Sequence, residues 1–437
     1  MAIVIPAPAR LVLEKLHNAG FAAFVVGGCV RDSLLGRTPG DWDITTAAHP
    51  EQVHAALSGL TVLDTGLQHG TVTALVGETR LEITTFRTEG SYSDHRRPDS
   101  VTFAATVEED LSRRDFTVNA IAYSEETGLI DPFGGQTDLK AGILRAVGDP
   151  ACRFDEDALR ILRGLRFAAR FGFSVEEATA RAMETQKHLL RALAAERVWA
   201  ELVPLLCAPS AVTVLRQFRD VFAVILPELE PMFGFDQQNK HHQYDVWEHT
   251  LHTLEHTPAD PVLRLVMLLH DCGKPARFTI DFRGDGHFYG HAAEGARRAE
   301  EALSRLRCDK ETARRVVRLI FYHDHDILDT EKSLLRWLRK VGERDLRDLL
   351  TVKIADNLGQ HPRYYRADRF RAIGAHLDAL LAKQPCFDRA ALAVTGRDLL
   401  PLGYAGPGLG AILDRLVEAV IEGRVPNEKE ALLQFLA

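Results

Sequence analysis

The stretch Phe24-Val25-Val26-Gly27-Gly28-Cys29-Val30-Arg31-Asp32-Ser33-Leu34-Leu35, followed by Asp41-Trp42-Asp43-Ile44-Thr45-Thr46, decides how the first third of this chain is read. Phe24-Val25-Val26 is apolar and β-prone, Gly27-Gly28 interrupts it, and the residues beyond have helix character. Two glycines between a strand and a helix let the backbone approach a phosphate closely, where the first helical amides and an arginine meet its charge. Positions i and i+2 of a strand project from one face, so Asp41 and Asp43 are expected to converge. Adjacent carboxylates repel, and a cation relieves them. Hard oxygen ligands beside a triphosphate point to magnesium.

Working outward, residues 24–26, 42–45, 71–76, 81–86 and 100–103 are short and rich in β-branched or aromatic residues, and they read as strands of one sheet. From about Glu156 onward Ala, Leu, Arg and Glu dominate and apolar residues recur at three and four, so the remainder reads as mostly helical. Breaks are expected at 204–209, 227–231, 236–243 and 281–290. The fold class is α+β, an α/β head followed by an all-α remainder. Its 437 residues suggest about three domains, and 46% hydrophobic with 26% charged residues is ordinary globular composition. A net charge of -8 argues against a surface that coats nucleic acid, so any such site must be a local patch. No apolar run approaches the ~18 residues of a membrane span, which makes a cytoplasmic protein with no membrane partner the expectation. Cysteines 29, 152, 207, 272, 308 and 386 form no C-x-x-C pair and are expected to be reduced thiols.

Two further patterns carry chemistry. Arginines 160, 163, 166 and 170 are spaced three, three and four apart along one helix face, interleaved with Leu162, Leu165 and Phe167 and preceded by Glu156-Asp157. A solvated basic face is the plain reading of such spacing. Farther on come His249, His270-Asp271, His291, His323 and Asp356. The adjacent pair ends the apolar helix expected over 262–269, just before Gly273 and Pro275, so imidazole and carboxylate can share a metal while other helices bring the rest. Imidazole with carboxylate suits Ni, Mn, Co, Fe or Zn, and spacing does not choose among them.

Gly27-Gly28-x-x-Arg31-Asp32, Gly36, Asp41-x-Asp43, Arg113-Arg114-Asp115-Phe116-Thr117-x-Asn119-Ala120, Asp131-Pro132-Phe133-Gly134-Gly135 and Glu156-Asp157-x-x-Arg160-x-x-Arg163 stand in one order. In that order the chain resembles the bacterial class II tRNA nucleotidyltransferases, the CCA-adding enzymes of the poly(A) polymerase superfamily. The resemblance is dense over residues 20–175 and reappears weakly at 401–413, where Gly-Tyr-Ala-Gly-Pro-Gly departs modestly from the family's glycine- and proline-rich stretch. It implies a polymerase-β-like nucleotidyltransferase head over 1–140, a helical neck and body over 141–235 that recognises the base and binds RNA, and a helical RNA-binding tail over 361–437.

Asp41 and Asp43 would then hold two magnesium ions for in-line attack of an RNA 3′-hydroxyl on the α-phosphorus, extending tRNA with CCA from CTP and ATP. Gly28 and Arg31 would touch the nucleotide. Arg114 would supply charge or position the sugar, a local ion pair with an aspartate being its plain alternative. Glu82, a third carboxylate on the strand 81–85, suits a surface role as readily and is left outside the site. The resemblance assigns base recognition to Asp157 and Arg160, with Arg163 and Arg166 meeting phosphates or supporting that pair. A carboxylate only accepts and a guanidinium only donates, so together they match cytosine and adenine and oppose uracil and guanine. The polar segment 87–98 corresponds to a loop that helps the family switch from C to A addition.

The order H…HD…H…H…D with Leu268-Leu269-His270-Asp271-Cys272-Gly273-Lys274-Pro275 resembles the HD phosphohydrolase superfamily, implying a domain over 240–360 that binds a transition metal and hydrolyses 3′-end phosphates. The alternatives are an A-adding enzyme or poly(A) polymerase, an HD phosphohydrolase with an inactive head, and a non-catalytic RNA-binding scaffold.

Overall fold

A computed structural model of the protein describes residues 3–89, 101–238, 243–404, 406 and 408–436. The chain divides into two compact units, Met1–Pro227 and Glu228–Ala437.

The head of the first unit is built on nine strands: β1 (Ala23–Val26), β2 (Asp43–Thr46), β3 (Thr61–Gly66), β4 (Thr71–Val76), β5 (Thr79–Thr85), β6 (Arg87–Glu89), β7 (Val101–Phe103), β8 (Ala122–Ser124) and β9 (Gly128–Ile130). Seven of them form one sheet in the order β3-β4-β5-β2-β1-β8-β9. β1 pairs antiparallel with β2 and β8, while β2 runs parallel to β5. All four β1 residues are buried, which is why this strand is continuously apolar. The helix Ala7–Asn18 buries Ala9, Val12, Leu13 and Leu16, the one-face spacing of an amphipathic helix.

The single sheet expected from the sequence needs two corrections. β7 is not part of it, because Val101–Phe103 pairs with Arg87–Glu89 in a separate two-stranded ribbon. Short β-prone segments carry no signal of which edge they will join, and Ser100 lies outside the described residues. Three strands of the sheet, β3, β8 and β9, lie outside the expected segments; β3 is largely exposed and the other two are three residues long. Two boundaries shift as well: β2 begins at Asp43, so Asp41 and Trp42 precede the strand. Pro204 sits inside the helix Ala195–Leu206 instead of breaking it.

Beyond these strands the first unit is mostly helical, with one short parallel pair between Ile143–Leu144 and Ser174–Val175. The helix Leu159–Phe171 buries Leu159, Ile161, Leu162, Leu165, Ala168 and Ala169, and packs on Ala195–Leu206. In the second unit the helices Val246–Glu255, Pro261–Leu269, Lys310–Tyr322 and Glu331–Leu358 each start with a side-chain cap, from Asp245, Asp260, Asp309 and Thr330 respectively. The tail forms its own core around Leu399, Leu416, Val417 and Leu432. Among the described residues no single helix is long and apolar enough to cross a membrane. All six cysteines are free thiols.

Candidate functional site

In the first unit a cavity of about 800 Å³ opens where the carboxyl-terminal end of β1, the start of β2 and the helix Leu159–Phe171 meet. Eight arginines and five aspartates line it, so a strongly basic local site exists on a chain of net charge -8. Gly27 makes the turn out of β1 at φ 79°, where a Cβ would also stand 2.9 Å from an Arg114 guanidinium nitrogen. Gly28 opens the short helix Gly28–Leu34 beside it.

Asp41 is exposed and Asp43 half-buried, and both line this cavity although only Asp43 belongs to the strand. Burial, together with the neighbouring charges of Asp41 and Glu82, pushes the Asp43 carboxyl up to about 6, against an opposing pull from Arg114. A carboxylate held up in this way is short of nearby positive charge, and its hard oxygens fit a cation of the magnesium type. Glu82 lies outside the site expected from the sequence. Its contribution follows from register, because β5 lies parallel to β2 with Ile83 opposite Ile44, one residue beyond each carboxylate.

The remaining head motifs form one hydrogen-bonded frame. Arg31 is buried, donates to Asp32 at 2.8 Å and to Asn119 at 2.6 Å, and lies over the rings of Phe167 and Phe171. Asn119 donates in turn to Asp115 at 3.0 Å, and Arg163 grips the other Asp115 oxygen at 2.8 and 3.0 Å. Burial would raise the Asp115 carboxyl, but Arg163 and the Asn119 bond outweigh it and hold it below its ordinary value. Arg114 reaches Asp110 only at 3.4 Å, whereas Arg113 bonds the same carboxylate at 2.8 Å. Asp131 accepts from the amides of Gly135 and Gln136, so the Asp-Pro-Phe-Gly-Gly stretch caps a helix start.

All four arginines of the helix Leu159–Phe171 line the cavity, as their spacing requires. Arg166 is ion-paired with Glu201 and stacked on Phe167. Asp157 and Arg160 both line the cavity, and the Arg160 amide donates to the Asp157 carbonyl at 3.0 Å. Asp157 accepts from Arg197 at 2.9 Å, and Arg160 donates to Glu156 at 2.6 Å and to the Arg113 carbonyl at 3.1 Å. No sequence pattern marks Arg197, since it lies forty residues away on another helix and only packing brings it to Asp157. Residues 90–98 of the segment expected to act as a switching loop, and residues 405 and 407 of the glycine-rich tail, lie outside the described residues.

In the second unit His249, His270, Asp271, His291, His323 and Asp356 converge, and all but Asp356 are buried. His249 Nε2 is 3.0 Å from Asp356 and 3.4 Å from Asp271, while His291 Nε2 is 3.2 Å from His323 Nε2 and 3.6 Å from Asp271. The four rings are oriented alike. Nδ1–H of His249, His270, His291 and His323 donates to the carbonyls of Gly359, Met267, Phe288 and Ile320 at 3.1, 2.9, 2.9 and 2.6 Å. A carbonyl only accepts, so in each neutral ring the lone pair sits on Nε2 and faces the cluster. His270 and His323 end their helices, where the last carbonyls otherwise lack partners.

Nε2 of His270 and Oδ2 of Asp271 are buried and lie 3.2 Å apart without an aligned hydrogen bond among the described residues, and Lys274 Nζ lies 2.7 Å from Asp271. Burial and the neighbouring imidazoles push His323 down to about 3; Asp271 is held well below its ordinary value, because His270 and Lys274 outweigh its burial. Against its burial, Asp271 and Asp356 push His270 up to about 10, and four inward-facing Nε2 atoms beside two carboxylates fit a transition-metal ion, which would take the place of that proton.

Three protein families match the chain: "Poly A polymerase head domain" over residues 23–145, "Probable RNA and SrmB- binding site of polymerase A" over residues 172–233, and tRNA nucleotidyltransferase domain 2 over residues 292–436. The CCA-adding enzyme of Levilactobacillus brevis is 36% identical over 427 residues, covering 97% of this chain and 96% of that protein. That of Streptococcus suis is 33% identical over 433 residues, covering 97% and 94%. The crystal structure of the Bacillus stearothermophilus CCA-adding enzyme in complex with CTP is 29% identical, covers 99% of this chain and 97% of that one, and superposes with a TM-score of 0.72. The Thermotoga maritima CCA-adding enzyme complexed with tRNA, 21% identical with a TM-score of 0.61 over 99% of this chain and 96% of that one, shares the fold. With relatives more than 30% identical along nearly its whole length and a mixed α/β head joined to a largely helical remainder, this chain belongs to the CCA-adding enzymes, a family of nucleotidyltransferases.

Proposed function

We propose that the chain adds CCA to tRNA 3′ ends from CTP and ATP, without a nucleic-acid template. The observation that carries this reading is the pairing, in one basic cavity, of the Asp41–Asp43 carboxylates with an arginine-lined wall. Asp41 and Asp43 would hold magnesium, which supplies charge neutralisation for the triphosphate and acidifies the attacking hydroxyl. The cavity arginines bind the triphosphate, with Arg31 locked in place by Asp32 and Asn119 and Arg114 turned toward the carboxylates. No protein nucleophile is needed, because the 3′-hydroxyl attacks the α-phosphorus and pyrophosphate leaves.

Asp157 and Arg160 read the base. Arg197 holds one Asp157 oxygen at 2.9 Å and Glu156 holds Arg160 at 2.6 Å, so each group is set at a fixed angle and needs no contact with the other. Arg163 acts through Asp115 and Arg166 through Glu201, supporting the wall that carries the pair. On this reading residues 1–140 are the catalytic head, 141–235 the base-reading neck and body, 240–360 an HD domain and 361–437 an RNA-binding tail.

The second unit carries a further activity. Its four histidines and two aspartates would hold a transition metal that supplies a Lewis acid for hydrolysis of a 3′-end phosphate, leaving a hydroxyl that the head can extend. The four Nδ1–carbonyl bonds favour this reading.

The test uses magnesium and tRNA transcripts ending at the discriminator base, at C and at CC, with CTP and ATP alone and together, and products weighed by intact mass. CCA on the first transcript, lost in Asp41→Ala, is the expected result. Extension of the CC-ending transcript with ATP only makes the protein an A-adding enzyme.

A further inference from the structure

A cavity of about 280 Å³ reaches Asp271, His291, His323 and Asp356 of the cluster and is also lined by His287 and Tyr289. Their rings are nearly parallel, 12° apart with centroids at 5.3 Å. His287 is fixed from behind, since its Nε2 lies 3.0 Å from Asp281, whose carboxylate also accepts from the Arg283 and Asp285 amides. Asp281 thus closes the turn between the short strands Thr279–Ile280 and Gly286–His287 and sets the imidazole plane at the same time. Tyr289 nevertheless keeps 78% of its surface exposed. An aromatic side chain stiffened by a stacked neighbour and left open at the mouth of a cavity gains nothing for the core by that arrangement. It does offer a flat face to a ligand that enters.

Lys274, whose ammonium lies 2.7 Å from Asp271, brings a cation to the same cavity for a phosphate oxygen. A phosphate at the metal-ligating side chains and a flat ring on Tyr289 describe a nucleotide, since every base has a π-face and stacks on aromatic rings whatever its sequence. We propose that the His287–Tyr289 pair is a base-stacking platform, so that this cavity selects a terminal ribonucleotide bearing a 3′-phosphate over a phosphoester that lacks a base. The proposal rests on the phosphohydrolase reading of the cluster and adds its specificity. Tyr289 is a binding residue here, with no part in bond breaking.

The experiment compares the full-length protein with Tyr289→Ala and Tyr289→Trp. Phosphate release is measured with adenosine 3′-monophosphate, a short RNA ending in a 3′-phosphate, and ribose 5-phosphate. Binding of adenosine 3′-monophosphate is measured separately by calorimetry, with metal and without. Tyr289→Ala is expected to weaken binding and raise KM for both nucleotide substrates about tenfold, the scale of one lost base stack, with kcat and the ribose 5-phosphate constants within about twofold. Tyr289→Trp is expected to restore both. Unchanged nucleotide binding in Tyr289→Ala, or equal weakening toward ribose 5-phosphate, overturns the platform. If no compound is hydrolysed by the parent protein, the phosphohydrolase reading fails by itself, and the calorimetric comparison still decides the platform.

Discussion

Asp115 is the residue on which the head frame turns, because Asn119 holds one of its oxygens and Arg163 the other while the group itself is buried. Its carboxyl titrates below the ordinary value, so the ionised form is favoured by folding. For an acid depressed in the folded state, the stabilisation is present above its unfolded pKa and is lost as pH falls through the folded one. Asp115→Asn should therefore cost about 2 kcal/mol at pH 7, with the gap from the parent closing below about pH 4, as read by denaturant melts across that range. Asp157 makes a different prediction. Asp157→Asn keeps the shape but adds a donor, so UTP and GTP should gain on CTP and ATP by about tenfold or more in single-nucleotide extension of tRNA. Equal discrimination in the variant would remove Asp157 from base reading.

Elements bring these residues together by close approach. Gly273 follows the His270-Asp271 pair, and a Cβ there would stand 2.3 Å from the His291 carbonyl and 2.5 Å from the Gly295 amide. The absence of a side chain is what lets the helix Pro261–Leu269 end against the start of His291–Arg305, putting Asp271 within 3.6 Å of His291. Gly273→Ala should force those backbones apart, at a cost of about 1–3 kcal/mol. Melting temperature should fall, and metal content measured by elemental analysis should fall with it. The helix Leu159–Phe171 works in the opposite sense, with an apolar face that sinks into the first unit and an arginine face that is left to line the cavity.

Across the whole molecule the two candidate sites share no residue and fall in different compact units. On the two activities proposed above, Asp41→Ala should abolish nucleotide addition and leave phosphate release unchanged, whereas His270→Ala should do the reverse and lower the transition-metal content. Assay of both activities in both variants checks this, and loss of both from either variant would show that the activities are not separable. Prolonged chelation followed by magnesium alone should restore addition and not phosphate release.

The order of short motifs, all of them local in sequence, already marked an α/β head, the Asp41–Asp43 pair, the arginine face and the six residues of the histidine cluster. Periodicity carried the helical remainder for the same reason, since a helix is decided by neighbours three and four apart. Tertiary structure alone decided what depends on distant partners: that β7 leaves the main sheet for β6, that Glu82 adds its charge to Asp43, that Arg197 holds Asp157, and that Arg163 serves Asp115. It also decided which nitrogen each histidine presents. For His270, His291 and His323 the carbonyl that takes Nδ1 lies three residues back in the chain, but for His249 it belongs to Gly359, 110 residues away, and only packing supplies it.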